Sequence, residues 1–449
     1  MIPLSLREIA DATSGTVVGD DAIVVDAPAS LDSRGVEPGG LFVAIAGERV
    51  DGHDFTAQAM ASGAAAVLAS RDTGVPAVVV DDVTRALGQL ARHVLDERED
   101  VEIVALTGSS GKTSVKDLLA HVLAPDGPTV ATRGNFNNEL GVPLTVLGVD
   151  ELTRFLVVEM GARKVGDIAV LCRIAPPAIG MVLNVGSAHV GEFGSPERIA
   201  EAKGEMAASV GQDGVVVLNA DDERVAAMAA RTEASVMTFG TDGDVRLGDV
   251  RLDEDGSPRF TLTHHGRTVE AHVPLIGRYH AVNAAAAATA ALALGVALPT
   301  IAARLATADE QVSPMRMERH VRADGLVVVN DAYNANPESM EAALRAIAAI
   351  GGGRAVAVLG AMLELGDASH AAHVRIGRLA AELGYARVVV VGPGAEGIAE
   401  GAGAVAEILA DTDVASRTLP ASLSRGDVVL VKASRGIRLE RVAQALLSA

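Results

Sequence analysis

The sequence has no tryptophan, three tyrosines and seven phenylalanines, so aromatic rings cannot be the main filling of its interior. Because 49% of the residues are nevertheless hydrophobic, packing must rest on Ala, Val and Leu, which suits layered α/β units. A single cysteine, Cys172, rules out a disulfide within the chain. In the apolar setting VLCRIAP it reads as a small buried residue rather than a catalytic thiol. Basic residues are in deficit, with 38 Lys and Arg against 58 Asp and Glu, a formal net charge of −20. That balance argues against nucleic acid or an anionic membrane as a general partner, since phosphate-rich surfaces demand clustered cations. An anionic small molecule would have to be met by local basic residues.

Long hydrophobic runs are scarce too. The first residues, MIPLSLREIAD, carry charge too early to read as a signal peptide. The one candidate for a membrane span, residues 281–303, is uncharged but mostly Ala, with Asn283, Thr289, Gly295, Pro299 and Thr300 inside it. It reads as a packed helix, with no membrane insertion. A cytoplasmic protein is expected.

At 449 residues the chain predicts about three domains, on a prior of roughly 150 residues each. Residues 1–98 alternate short Val-rich runs (TVVG, LFVAI, AAVLAS, AVVVDD) with Ala-rich stretches, a small α/β domain. The charged run 96–100 reads as a solvated helix end and marks a boundary. Residues 99–312 carry apolar runs at 101–106, 155–159, 179–185 and 215–219, each ending in polar residues, as the strands of a parallel sheet do. Residues 245–273 alternate polar and apolar around Asp255-Gly256 and His265-Gly266, an antiparallel excursion. Residues 313–449 predict strands at 326–330, 355–360, 387–392 and 428–432 with helices between them, a doubly wound, Rossmann-like domain. The predicted fold class is α/β throughout.

What is present is a phosphate loop. The stretch TGSSGKTS, residues 107–114, lies between an apolar run and an amphipathic one, so it reads as strand, loop and helix. There the backbone of Gly108, Ser109, Ser110 and Gly111, with Ser114 in the first helical turn, can cradle an anion. Lys112 reaches the terminal phosphates and Thr113 can ligate magnesium. The motif predicts ATP. The common longer form would place a glycine at position 106, where this chain has Leu106.

Other segments add polar groups at strand ends. GNFNNELGVPLT sets three asparagines between two glycines, an arrangement of fixed amides suited to a polar ligand as well as to an ordinary turn. Glu159, in VVEMG, ends a strand facing the loop and is placed to bind magnesium, while Asn184 and Asn219 end neighbouring strands. His189, in NVGSAHVGEFG, follows the next strand, where a second metal could sit. Lys203 and Glu205, taken alone, are an ordinary helical surface pair.

The segments TGSSGKTS, GNFNNELGVP, EMG, NVGSAH, AKGE, NADD, HAVN, DAYNANP and VKASRG occur in the order found in the Mur ligases, the ATP-dependent amide ligases of peptidoglycan synthesis. The resemblance covers essentially the whole chain. DSRGVEPGGLFVAIAGERVDGHDF, residues 32–55, is similar to the uridine-nucleotide-binding domain of the members that add the third residue or the terminal dipeptide. NDAYNANPESM, residues 330–340, resembles the dipeptide-adding branch. The third-residue branch would carry a DYAHTP-like stretch here and, in one type, a later DNPR, and neither is present. The resemblance therefore implies that D-alanyl-D-alanine is added to a UDP-N-acetylmuramoyl-tripeptide through an acyl phosphate. It also implies roles in cell-wall biogenesis, cell shape and division.

It further assigns roles to residues. Lys112 and Thr113, with Ser110 and Gly111, would bind ATP phosphates and Mg2+; Glu159 and His189 would be further magnesium ligands. Lys203 would be carbamylated, its cationic amine becoming an anionic carbamate. His280 and Asn283 would meet the adenine, and Arg316 the phosphates. Asp331, Tyr333, Asn334 and Asn336 would contact nucleotide and incoming dipeptide. Lys432, Ser434 and Arg435 resemble the C-terminal motif, whose cations could meet a carboxylate. Asn137 and Asn138 would hold the muramoyl peptide, while Ser33, Arg34 and the loop near residues 47–55 would hold the uridine end. A monomer is expected.

Two positions depart from the family pattern: Ala361 stands where GDMLELG has its aspartate, and Ala433 where glycine is common in the C-terminal motif. Other readings are a third-residue Mur ligase, a folylpolyglutamate synthase-like ligase, a phosphate-loop kinase, or a nucleotide-binding module without catalysis. The long N-terminal domain disfavours the second of these, and the apparent metal ligands the last.

Overall fold

A computed structural model of the chain describes residues 1–47, 50–186, 193–309 and 312–448. Three large sheets organise it, beside a two-stranded ladder that pairs Leu4–Ser5 with Val24–Val25. In the first, β1 (Thr16–Val18), β2 (Ala27–Ser30), β3 (Gly40–Val43), β4 (Ala66–Ala69) and β5 (Ala77–Val79) lie in the order β1-β5-β4-β3-β2, parallel except for the β1 edge. Helix α1 (Leu6–Thr13) begins with a capping box in which Ser5 and Glu8 exchange hydrogen bonds. Helix α2 (Val83–Asp96) ends in the charged run that the sequence marked. Its apolar face, with Leu87, Leu90 and Val94, shares a core with Val142, Val146 and Leu171 of the following region. The first sheet is therefore anchored to the second by ordinary apolar burial.

The central sheet contains β6 (Glu102–Thr107), β7 (Thr129–Ala131), β8 (Phe155–Glu159), β9 (Ile179–Val182), β10 (Val215–Asn219) and β11 (Ser235–Gly240). It continues into β12 (Val245–Leu252), β13 (Pro258–His264) and β14 (Arg267–His272). The order is β14-β13-β12-β11-β10-β9-β6-β8-β7, parallel from β7 to β12 and antiparallel over the last two pairings. Strands such as FLVVE are buried along their whole length, as expected for a parallel sheet covered on both faces. The expected excursion at 245–273 is antiparallel, and His265 and Gly266 both have positive φ (46° and 75°), the geometry of a tight hairpin turn. Strand β7 was not expected; three residues are too few to show a period.

Helix α3 (Lys112–Leu123) follows the phosphate loop, and α4 (Pro196–Ser209) carries Lys203. The alanine-rich stretch read as one helix is two, α5 (Tyr279–Ala293) and α6 (Leu298–Leu305). The break has a local cause: Gly295 turns left-handed at φ 83°, and the Val296 N–H returns to the Ala291 carbonyl at 3.0 Å. Among the described residues no helix is long and apolar enough to cross a membrane.

The third sheet has β15 (Glu318–Val321), β16 (Val327–Asn330), β17 (Ala355–Leu359), β18 (Arg387–Val391), β19 (Ala406–Leu409) and β20 (Val428–Lys432) in the order β15-β16-β20-β17-β18-β19. Only β15 runs antiparallel. It and β19 were not expected: both are four-residue edge strands, β15 (ERHV) largely polar and β19 (AEIL) too short to show a period. Helix α7 (Pro337–Gly351) starts directly after DAYNAN.

Candidate active site

The loop between β6 and α3 owes its shape to two constraints. Gly111 sits at φ 79°, and a Cβ there would stand 2.7 Å from Asn283 Oδ1, so conformation and space both require glycine. Asn184, just beyond β9, braces the other side. Its Oδ1 accepts the Ser110 N–H at 2.9 Å, its Nδ2 donates to the Ser110 carbonyl at 3.1 Å, and its carbonyl accepts the Ser109 N–H. Sequence reasoning placed Asn184 at the mouth without seeing this bracing role. Asn219 turns away instead, donating to the Leu183 carbonyl at 2.9 Å.

At the start of α3 the Lys112 ammonium donates to the Gly108 carbonyl at 2.7 Å, spanning the mouth of its own loop. Thr113 Oγ1 donates to Glu159 Oε2 at 2.8 Å and accepts from Arg316 Nη2 at 2.9 Å. Glu159 Oε1 in turn accepts from Asn137 Nδ2 at 2.7 Å, and the Glu159 N–H is held by Thr132 Oγ1. The carboxylate is buried, with one oxygen held by Thr113 and the other by Asn137. Lys203, on α4, is also buried, and among the described residues it has no hydrogen-bond partner. Burial, reinforced by the Lys112 charge, holds its amine well below the usual ammonium range.

These groups line one cleft of about 850 Å³ between the central and third sheets. Ser109, Ser110, Gly111, Lys112, Thr113, Glu159 and Lys203 form its floor. Tyr333, Asn334, Asn336, Ser434 and Arg435 face them from the third sheet's side, with Arg316 between. Asn137 and Asn138 complete the wall. Some of these amides also have local duties. Asn138 Oδ1 accepts from the Leu140 and Gly141 N–H groups, and Asn336 caps α7 through the Ser339 N–H at 2.8 Å.

Other residues singled out from the sequence lie elsewhere. Ser114 is buried in the first turn of α3, and Gly108 packs against Leu183 and Asn184; neither is among the residues that line the cleft. His280 is fully buried beside Tyr279, with ring centroids 4.4 Å apart and both ring nitrogens unpartnered, and burial lowers its pKa to about 3. Asn283 Nδ2 is unpartnered as well. Asn283 packs behind Gly111, and neither it nor His280 is among the residues that line the cleft. Lys432, expected to face a ligand's carboxylate, instead meets one of its own chain: its ammonium lies 2.7 Å from Asp331 Oδ2 and donates to the Asn334 carbonyl at 2.8 Å. Neither Lys432 nor Asp331 reaches the cleft surface. His189 lies outside the described residues. Cys172 is buried against Met160 and Met206, and burial pushes its thiol up to about 12, the inert packing role expected.

A second cleft, of about 1100 Å³, opens between the first sheet and the edge of the central one. Ser33 and Arg34 line it with Gly47, Phe55 and Gln58. Ser33 Oγ donates to Gln58 Oε1 at 2.9 Å, while the exposed Arg34 forks onto Asp32 at 2.9 and 2.8 Å. The far wall holds Arg133, Phe136 and Leu140, which sequence reasoning passed over. The segment 133–140 therefore borders both clefts, apolar and cationic groups on one side and amides on the other.

Three family profiles match in series: the Mur ligase family, catalytic domain over residues 29–94, the Mur ligase middle domain over 106–291, and the Mur ligase, glutamate ligase domain over 315–435. The chain belongs to the Mur ligase family. A Mur ligase of Mycobacterium tuberculosis (strain ATCC 25618 / H37Rv), named UDP-N-acetylmuramoyl-tripeptide--D-alanyl-D-alanine ligase, is 46% identical over 100% of this chain and 98% of its own. The equally named Mur ligase of Escherichia coli (strain K12) is 37% identical over 99% of both. Among solved Mur ligases, MurF from Acinetobacter baumannii superposes with a TM-score of 0.89 at 33% identity, over 100% of this chain and 99% of that one. MurF ligase from Thermotoga maritima in complex with ADP does so at 0.81 and 33%, over 94% and 97%. The three-sheet α/β architecture is thus the Mur ligase fold.

Proposed function

We propose that the chain is an ATP-dependent peptide ligase of peptidoglycan precursor synthesis, joining D-alanyl-D-alanine to UDP-N-acetylmuramoyl-tripeptide and releasing ADP and phosphate. The observation that carries this reading is the meeting of two clefts at residues 133–140. A long substrate anchored by a nucleotide at Ser33 and Arg34 can lay its far end beside Asn137, Asn138 and the phosphate loop. Full-length identity to dipeptide-adding relatives supports it.

In the first step a carboxylate oxygen of the tripeptide attacks the γ-phosphorus of ATP, and the bond to the ADP oxygen breaks. The loop N–H groups and Lys112 hold the phosphates, and Arg316 approaches the transferred group from the side; both cations oppose the charge that develops there. Thr113 and Glu159 present hard oxygens to one point beside the loop and fit Mg2+, which when bound neutralises phosphate charge. His189 is read as a further ligand. Carbon dioxide adds to the free-base form of an amine, which burial favours at Lys203, and the resulting carbamate would supply an anion to the same place.

In the second step the neutral dipeptide amine attacks the acyl carbon, phosphate leaves and the surplus proton passes to solvent. Ser434 and Arg435, which line the cleft, are read as partners of the dipeptide carboxylate, and Asn334 and Asn336 as lining its approach. His280, Asn283, Asp331 and Tyr333 are read as the nucleotide's surroundings. The walls of the cleft come from different sheets, so closure would shield the acyl phosphate from water.

We further propose domains at 1–98, 99–312 and 313–449, supported by sheets that do not cross those boundaries. A monomer is supported by a cleft completed within one chain. A cytoplasmic location is supported by the nature of the proposed substrates, ATP and a UDP-linked precursor. The test is product identity: with ATP, Mg2+ and both substrates, mass spectrometry should find the pentapeptide product, one water lighter than tripeptide precursor plus dipeptide. Phosphorylated tripeptide as the stable end product would instead mean a kinase.

A further inference from the structure

Arg316 stands in a segment whose backbone is held under strain. Its two neighbours, Met315 and Met317, both adopt left-handed conformations, with φ of 56° and 54°, a region that is unfavourable for a non-glycine residue. Such a turn persists only where its surroundings over-determine it. On the downstream side the Met317 N–H is held by Asp331 Oδ1 at 3.3 Å, and the Met315 N–H by Glu318 Oε2 at 2.9 Å. On the upstream side stands Ser313, 1% exposed, whose Oγ donates to Asp117 Oδ2 at 2.8 Å.

Asp117 lies on α3 one turn beyond Thr113, the residue that receives Arg316. Positions i and i+4 of a helix share a face. The phosphate-loop helix therefore grips the segment twice, Asp117 taking Ser313 and Thr113 taking Arg316. The outer oxygen of Asp117 is fixed by Lys116, buried, whose ammonium lies 2.6 Å from Asp117 Oδ1 and also donates to the Thr132 carbonyl. Thr132 holds the Glu159 N–H. Meanwhile Arg316 Nε is buried and unpartnered, so one donor of the guanidinium is left for a ligand.

We infer that the Ser313–Asp117 hydrogen bond is a clasp that holds the strained turn and so positions Arg316 on the transferred phosphoryl group. Ser313 and Asp117 are positioning residues; neither lines the cleft. The inference rests on the ligase reading for Arg316's role in catalysis, but the aim of Arg316 at nucleotide phosphate does not depend on what is ligated.

Ser313→Ala is the cleaner probe, because Asp117→Ala would leave Lys116 buried without its counter-charge. A double-mutant cycle with Arg316→Ala, read as affinity for a non-hydrolysable ATP analogue by calorimetry, separates positioning from general damage. Ser313→Ala should weaken the analogue about 5-fold in the wild-type background and less than about 2-fold where Arg316 is absent. The same pattern should appear in kcat for amide formation. Equal losses in both backgrounds, or no loss in either, would overturn the clasp. If amide formation itself is not seen while the affinity cycle shows coupling, the ligase reading fails and the clasp stands.

Discussion

The Arg316 guanidinium lies 4.3 Å from the centre of the Tyr333 ring, while Arg435 lies 5.8 Å from the same ring. Both cations lie within reach of the ring's π-face, an attraction worth about 1 kcal/mol for a partly desolvated pair. Tyr333→Phe keeps that face and should retain near-wild-type kcat. Tyr333→Leu removes it and should lower kcat about 10-fold, since roughly 1.4 kcal/mol of transition-state alignment is one decade of rate. Steady-state kinetics on the two variants checks this, and equal loss in both would point to the hydroxyl instead.

Lys203 should carry a carbamate in the working enzyme. Protein equilibrated with 13C-labelled bicarbonate should give a carbamate carbon resonance that Lys203→Ala lacks. Lys203→Arg, which cannot form one, should lose activity by about 100-fold or more, the scale of losing an electrostatic group at the reacting centre.

His280 makes stability depend on pH. Its folded pKa, about 3, lies below the model-peptide value of 6.5, so between those values the unfolded chain binds more protons than the folded one. The contribution is complete above pH 6.5 and is lost as pH falls toward 3. From pH 7 to pH 5 the loss should be about 2 kcal/mol, on the constant of 1.36 kcal/mol per pK unit. Urea unfolding of wild type and His280→Gln at the two pH values should show the flatter profile in the variant.

Much of the fold was legible because it is written in local terms. TGSSGKTS fixes a strand-loop-helix whose glycine conformation is set by the backbone, and the buried runs of β6, β8 and β10 have no other use in an α/β layer. The site was legible as a set of residue types but not as a set of partners. Lys432 reads as a cation for a ligand until the third sheet brings it to Asp331. Ser313 and Asp117 lie 196 residues apart, and nothing in either neighbourhood announces the other. The break in the alanine-rich stretch was within reach, since Gly295 is a helix-ending residue, but uniform apolar composition hid it.

Cys172 should be unreactive in the native protein, because its thiol is buried and pushed up to about 12. Iodoacetamide at neutral pH should label it only after denaturation, with activity unchanged by the treatment. Asn336→Ala should destabilise the chain by about 1 kcal/mol through loss of the α7 cap, seen as a lower unfolding midpoint.

The central claim, that one cleft activates a tripeptide carboxylate with ATP and passes it to a dipeptide amine, is tested most directly by ADP release from purified protein. With Mg2+, sustained release should require both UDP-N-acetylmuramoyl-tripeptide and D-alanyl-D-alanine, and should fall to background in Lys112→Ala. Sustained release with only one of the two substrates, or release that survives Lys112→Ala, would contradict it.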